Sequence, residues 1–492
     1  MAFPGDWNFY RDITIDAAAI EGTTDFSDHW WPLRLDAITA SNFWDEVETD
    51  GSDIVVTEDG EETELPRYLT GFGPALLLSG VETYALTNGW QLGMSLDGGT
   101  VVDATFETAD FADIANATAA EIIAVLQADW SALAVTVSAD ANDRVLITAD
   151  TFGASIQVSD VTGTPISALA LPTALRRGSG LLRVRVPTMS ATVDTVLQLY
   201  HGNPTAGLTN SALTFAGRST LIVVPDGNDG TDISAHASPA TIVGTSPASS
   251  NETVSAGWYD GVDDETDYGE GTDDVLRGML DTWRYLSFVA CAHPTQSHIR
   301  AFLVSKEIDS ADPPANGNGW TLQMDTSDNI RLSARFGSNI GFWSSPTNSF
   351  LRGVDHHVVV AYSNSSTTIN PIMIIDGVVV TVTETTTPLG SVLADNGPNP
   401  FMFGSNPNAS NHFVGTIAEL FVHEAAGTGT YDQDQAVSEY NFLFDAGNTF
   451  AVGNAVAIAS DDAPSLVSLG RRPALRAIGG ISSISTIGAP RT

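Results

Sequence analysis

The chain reads as a mainly β protein: two β-sandwich or jelly-roll domains, with a small α+β domain inserted into the first. Three observations predict this. Short apolar runs of strand length, separated by Gly, Asn, Asp and Pro, recur along most of the sequence. Several end in Asp-Gly turns, as at Asp59-Gly60, Asp97-Gly98 and Asp260-Gly261, because Gly tolerates positive φ and Asp bonds its own backbone. Helical spacing shows at residues 118–129, a small part of the chain.

Taken in order, the first domain occupies residues 1–73 and 179–207. Arg11 to Asp16 alternates, as does Leu33 to Asp36, and Asp53 to Thr57 runs toward the Asp59-Gly60 turn. The strand pattern resumes at Leu181 to Pro187 and Asp194 to Pro204. Between them, residues 74–178 form the insertion. Trp90 to Leu96 leads through Asp97-Gly98-Gly99 into Thr100 to Val102, a hairpin signal, and Leu133 to Val137 with Val145 to Thr148 makes a second. Thr118 and Glu121 have capping-box spacing, and Ile122, Leu126 and Trp130 recur on one helical face, so the spacing predicts an amphipathic helix over 118–129.

Residues 208–256, rich in Ser, Thr, Ala, Gly and Pro, read as a connecting segment with one strand at Leu221 to Val224. The second sandwich spans 257–446, opening on Trp258-Tyr259-Asp260-Gly261-Val262-Asp263-Asp264. Residues 447–492 carry Arg471-Arg472-Pro473-Ala474-Leu475-Arg476 and a Gly/Ser-spaced β-prone run, the character of an assembly strap that adds to a neighbour's sheet.

A length of 492 residues with 43% hydrophobic content suits about three domains with separate cores. Sixty acidic residues against 20 basic ones leave a formal charge of −40, which argues against a nucleic-acid backbone or an anionic membrane as partner. Lys306 is the only lysine. The acidity is spread over the chain, as in salt-adapted proteins, where roughly molar salt screens self-repulsion; an acidic protein from a GC-rich marine or soil microbe is the alternative. Cys291, the single cysteine, lies in an apolar run and is expected to be a buried small hydrophobe. No run of about eighteen apolar residues predicts a membrane span, and Met1 to Arg11 lacks the pattern of an export signal.

Three resemblances follow. Asn8 to Asp16, Asp53 to Thr57 with Leu65-Pro66, Val184 to Pro187 and Leu199 to Pro204 are similar to a β-sandwich domain of unknown function that precedes concanavalin-like jelly rolls in archaeal and bacterial surface proteins. The insertion, through Ala109 to Ile122, resembles a module of tailed-virus structural proteins. The runs at Tyr259 to Asp264, Arg284 to Ala290, Phe302 to Lys306, Gly319 to Asp325, His356 to Tyr362, Met373 to Val380, Phe403 to Pro407 and Phe413 to His423 resemble laminin-G-like members of the concanavalin-like lectin and glucanase superfamily, a likeness that implies a helix at Asp432 to Phe444. These resemblances imply a virion surface protein of a tailed, haloarchaeal virus, as a capsid turret, spike, decoration or tail appendage. Its expected partners are other virion proteins, further copies of itself, and a host-surface glycan or glycoprotein. A polysaccharide-degrading enzyme and a cellular adhesin are the alternatives.

The chemistry weighs against an enzyme. Glycoside hydrolysis needs two facing carboxylates, and no Glu-x-Asp-x-x-Glu run lies on a predicted jelly-roll strand. Glu419 stands alone and is expected at a strand end facing solvent. His356 and His357 are adjacent, so on a strand they point to opposite faces and cannot share a metal. Calcium suits clustered hard oxygen donors: Asp260, Asp263 and Asp264 form one candidate set, and Asp226, Asn228, Asp229 and Asp232 another. For a glycan, aromatics beside amides are the expected chemistry, with Trp320, Phe342, Trp343 and Tyr362 near Asn316, Asn318, Asn339 and Asn408. Phe342-Trp343 stands out, because adjacent residues on a strand cannot both face one core, and His29-Trp30-Trp31-Pro32 raises the same question in the first domain.

Overall fold

The computed structural model describes residues 7–60, 63–140, 142–203, 205–207, 210–211, 220–224, 230–234, 240–250, 254–268, 284–296, 300–307, 319–336, 339–363, 365–390, 400–405, 411–424, 431–444 and 450–457. The protein is mainly β and every strand pair among these residues is antiparallel, so each sheet can bury one face and keep polar residues on the other.

The alternation of Phe9–Ile15 places Ile13 and Ile15 in a core and Asp12 in solvent. This strand pairs with Thr195–His201, which pairs in turn with Val55–Glu58. Facing that sheet are Phe26–Arg34, Gly178–Met189 and Arg67–Pro74. Together they enclose a core that includes Trp31, Phe43, Trp44, Leu182 and Val184. The two halves of the first sandwich are therefore brought together across the insertion, as the split pattern requires.

In the inserted domain, both expected hairpins form, Trp90–Leu96 with Val102–Phe106 and Val135–Ala139 with Arg144–Ala149. Each gains a third strand that sequence reasoning missed, Ile156–Thr162 and Leu76–Val81 respectively. The helix Ala119–Asp129 starts at the capping box, with the Thr118 side chain accepting from the Glu121 amide while Glu121 bonds back. Ile122, Leu126 and Trp130 are buried with both sheets in a core of this domain's own.

The jelly roll has two eight-stranded sheets. One carries Val414–Glu424 between Val254–Asp260 and Arg284–Ala292, continuing through Asp355–Tyr362. The other runs through Phe401–Phe403, Arg300–Glu307, Gly319–Asp325, Asn329–Arg335 and Ile340–Ser344 to Thr383–Thr386. Phe288, Trp320, Leu332, Trp343 and Phe413 fill the space between. Its boundary lies earlier than the expected residue 257. Thr220–Val224, Thr241–Val243 and Ser246–Ser250 all pair with jelly-roll strands, so the Ser/Thr-rich connector is part of the domain.

The C-terminal segment differs from the expected strap where it is described. Phe450–Val452 and Val456–Ala457 pair with Phe9–Ile15 of the same chain, closing an edge of the first sandwich. The chain divides into a unit of residues 1–458 and a second of residues 459–492, and the latter lies outside the described residues.

Candidate functional site

One face of the jelly roll is taken up by intramolecular packing. Glu419 sits where Val414–Glu424 bulges: it has φ of +51°, and residues 419 and 420 both stand opposite Phe288 between the pairs Ser287–Phe421 and Val289–Ala418. The bulge turns Glu419 toward the first sandwich, where its carboxylate accepts from Arg183 Nε at 3.1 Å and Nη2 at 2.7 Å. Glu439 joins through Arg183 Nη1 at 3.0 Å. Burial opposes the Arg183 charge, but Glu419 and Glu439 outweigh it and hold the guanidinium above its ordinary value. The expectation of a solvent-facing Glu419 is thus corrected: it is 2% exposed and locked in a bidentate pair, with no freedom to act as an acid catalyst.

His29-Trp30-Trp31-Pro32 is resolved by the same interface. Trp31 points into the first core against Phe442 and Phe450, while Trp30 packs with Val223 and Phe421 of the jelly roll. The insertion adds Arg144 to Asp355 at 2.9 Å.

The other sheet turns a different face outward. Trp320, Leu322, Leu332 and Trp343 point inward, so alternation puts Thr321, Gln323, Arg331, Ser333 and Phe342 on the opposite face, where all but Phe342 are nonetheless buried, Arg331 at 8% exposed. Thr321 and Ser333 bond each other at 2.5 Å, and Gln323 Oε1 is buried without a hydrogen-bond partner. Phe342 is half-buried, with the Arg331 guanidinium 3.8 Å from its ring centroid. Arg335 follows on the same face, half-buried, and beyond the next strand Thr383, Glu384 and Thr385 reach solvent. An aromatic ring beside two guanidiniums offers an apolar contact within a region of positive potential, while Arg331 and Arg335 each hold another partner as well.

The expected ligand-binding residues separate on this face. Of Phe342-Trp343, Phe342 is the outward one. Trp343 is fully buried against Tyr362, donating Nε1 to Asn370 at 2.8 Å, and Trp320 is 3% exposed in the same core, so neither offers a ring face to a ligand. Tyr362 is likewise core. Both ends of the Asn339 amide are used internally, donating to the Thr387 carbonyl at 2.8 Å and accepting from the Leu389 amide at 2.5 Å. Asn316, Asn318 and Asn408 lie outside the described residues. Arg331 and Arg335 were missed; their signal was two arginines in alternation on one strand of a chain with so few basic residues.

The acidic turn lies between the sheets. Tyr259 anchors it in the core, with its hydroxyl 3.0 Å from that of Thr266, and Gly261 adopts φ of +80° against Val414. One Asp260 oxygen accepts from the Val262 amide at 2.7 Å, and one Asp264 oxygen accepts from the Asp260 amide. Asp260, Asp263 and Asp264 can each bring a carboxylate oxygen within 4.8 Å of the others. Burial, with Asp260 and Asp263 nearby, pushes Asp264 up to about 6. A divalent cation would relieve that repulsion, and three hard donors fit about half of a calcium shell. In the other candidate set, Asp232 is spent on the Val223 and Ser234 amides, both at 2.9 Å, whereas Asp226, Asn228 and Asp229 lie outside the described residues.

The histidines have separate partners. His356 bonds Asp376 at 2.6 Å, and His357 bonds Ser287 at 2.9 Å; burial, then Arg183, lowers His357 to about 3. Cys291 is fully buried.

Residues 293–430 match the family model described as the concanavalin A-like lectin/glucanases superfamily, of laminin-G type. A search of curated proteins finds no match. Among solved structures, the chain is similar to the binding domain of Paraclostridial Mosquitocidal Protein 1, at 12% identity and a TM-score of 0.34, covering 46% of this chain and 53% of that one. The receptor-binding domain of botulinum neurotoxin D matches at 10% identity with the same coverage and TM-score. A carbohydrate-binding module of the Ruminococcus gnavus IT-sialidase, bound to α2,3-sialyllactose, matches at 10% identity and a TM-score of 0.23, covering 29% of this chain and 76% of that one. The chain thus spans about half the length of the first two structures. Over residues 293–430 the jelly roll thus matches the laminin-G type of the concanavalin A-like lectin and glucanase superfamily.

Proposed function

We propose that this chain is a non-enzymatic glycan-binding protein, displayed on a virus particle, that engages an acidic host-surface glycan through the outward jelly-roll sheet face. The observation that carries the reading is the Phe342–Arg331 stack with Arg335 beside it, a local concentration of positive charge and apolar ring on a chain of formal charge −40. A pyranose places C–H groups on one face for the ring, and the positive potential of Arg331 and Arg335 favours an acidic sugar over a neutral one. The opposite sheet is occupied by the first sandwich through Arg183–Glu419, and Phe342 with the strand Thr383–Thr386 is the part of this face that meets solvent. Phosphate-rich partners are opposed by the net charge.

Calcium at Asp260, Asp263 and Asp264 belongs to the same reading as a rigidifying ion. When bound, it would neutralise the turn that joins the two sheets; it supplies no chemistry to a reaction.

Titration of the full chain in molar salt with sialylated, uronate-containing and neutral oligosaccharides tests the binding. Acidic sugars are expected to bind, and Phe342→Ala to weaken them about tenfold, the loss of one stacking partner and its packing. Absence of binding to every acidic sugar, or an unchanged affinity in Phe342→Ala, overturns it. The particle reading is tested separately by mass spectrometry of purified virions, where absence of the chain removes it.

A further inference from the structure

The eight-stranded sheet that carries Phe342 ends, on the side away from that residue, at the strand Thr241–Val243. This strand pairs with Glu265–Asp267 and, among the described residues, with no strand on its other side. All three of its residues are exposed. An open strand edge offers backbone donors and acceptors to another chain. This edge is also apolar: Ile242 is 37% and Val243 38% exposed, and Val262, in the neighbouring turn, is 71% exposed. Gly244, the next residue, lies against the Asp264 carboxylate, which sets the acidic turn beside the edge. Val243 stands opposite Glu265, and Asp260 and Asp263 of the turn reach solvent.

The rest of the described surface says what can cover this edge. No arginine or lysine whose side chain is described is fully exposed, so two copies meeting through these surfaces bring acid to acid. Residues 463–492 differ in composition. They hold Arg471, Arg472, Arg476 and Arg491 and no acidic residue, and from Leu475 to Ile487 every third residue is Leu or Ile. They lie outside the described residues. From Ala457, paired on the first sandwich, to Arg471 the chain can extend up to about 50 Å, enough to reach a neighbouring molecule.

We infer that residues 463–492 of one copy dock on the edge Thr241–Val243 of a second copy. The docked segment adds its backbone to the open edge, covers Val243 and Val262 with Leu and Ile, and sets its arginines against Asp260, Asp263 and Glu265. Each copy then offers one segment and one edge, a head-to-tail contact that builds rings or filaments. The site is independent of the glycan reading. Calcium at the turn would share Asp260 and Asp263, so a chelator keeps it out of the test.

The receptor in the test is the full chain with Arg471→Ser, Arg472→Ser and Arg476→Ser, whose own segment competes weakly. A fluorescent peptide of residues 463–492 is titrated into it at fixed ionic strength with a chelator present, and anisotropy is read. Binding is expected, and a peptide with the same three substitutions is expected to bind at least about tenfold more weakly. Val243→Glu and Val262→Glu, which set like charge on the edge without touching the core, are each expected to weaken the native peptide by about tenfold or more. Val193→Glu, at an exposed valine of the first sandwich, and Phe342→Ala are expected to leave it unchanged. In light scattering the wild-type mass is expected to rise with concentration, and that of the triple variant to stay at one copy. No peptide binding, binding that survives both edge variants, a wild-type chain that stays at the mass of one copy, or full association of the triple variant overturns the proposal.

Discussion

At the scale of single residues, two charged groups carry opposite consequences for stability. Asp264 has a folded-state pKa raised from 3.8 to about 6 by burial and its acidic neighbours. Between those values the folded chain keeps a proton that the unfolded chain has released, so stability falls as pH rises through the window and is flat above it. Asp264→Asn retains an acceptor for the Asp260 amide, and is expected to remove the slope and stabilise the calcium-free protein by about 1–3 kcal/mol at pH 7. Urea midpoints measured from pH 4 to 7 check this; an unchanged slope in the variant contradicts the assignment. Calcium is expected to raise the wild-type midpoint at pH 7, by about 2.7 kcal/mol at a hundredfold excess over its dissociation constant, and to do far less for Asp264→Asn. Arg183 works the other way. It pairs with Glu419 and Glu439 and lies 4.4 Å over the Phe421 ring. Arg183→Met strands two buried carboxylates and is expected to cost about 3–5 kcal/mol, of which adding Glu419→Gln should recover part.

Among the elements, the helix Tyr431–Phe444 joins the two sandwiches. Phe442 enters the first core 5.0 Å from Trp31, Leu443 packs with Leu181 and Val289, and Ala436 lies against Tyr285, Val359 and Ile374 of the jelly roll. Arg34 donates to the Leu443 carbonyl at 3.1 Å, a cation at the helix C-terminus. Phe442→Ala is expected to cost about 3–5 kcal/mol and to shift the Trp31 environment, read by denaturation and near-ultraviolet dichroism. By contrast, Thr118→Ala in the inserted domain removes one cap and should cost only about 1 kcal/mol. The helix Ala119–Asp129 was legible in the sequence because a capping box and helical spacing are local signals, whereas Tyr431–Phe444 was expected from the family resemblance. What the second helix packs against was not legible, since its buried residues point in several directions. Of the strands before residue 257, Thr220–Val224 was legible from its apolar run, whereas Thr241–Val243 and Ser246–Ser250 were hidden: strands in a Ser/Thr-rich stretch are made by their partners rather than by their own pattern. Glu419 was misread as a strand end because neither the bulge that turns it nor the Arg183 it meets, 236 residues away in sequence, leaves a local signal. At the candidate glycan face, the sequence showed that one of Phe342 and Trp343 must turn outward; choosing between them required the Asn370 bond and the inner core.

At the scale of the whole molecule, a formal charge of −40 and a set of buried ion pairs should respond to salt in different ways. Surface self-repulsion acts over a Debye length of about 10 Å at 0.1 M salt and about 3 Å at 1 M, so screening relieves most of it. The wild-type unfolding midpoint should therefore rise steadily across that range. The Arg183–Glu419 pair, with side chains 2% and 1% exposed, is out of reach of salt, whereas Arg185–Asp28, with side chains 30% and 25% exposed, is not. The stability gap between wild type and Arg183→Met is accordingly expected to stay the same from 0.1 to 1 M potassium chloride. That of Arg185→Gln should begin at no more than about 1 kcal/mol and shrink toward zero. Parallel denaturation curves at several salt concentrations separate the two effects. A flat wild-type midpoint would mean that the acidic surface is already relieved by local pairing and that the −40 charge is not an adaptation to salt. A gap for Arg183→Met that closes with salt would mean that water reaches the interface between the sandwiches, and the jelly roll would then lack the rigid support that leaves its outward sheet as the binding face.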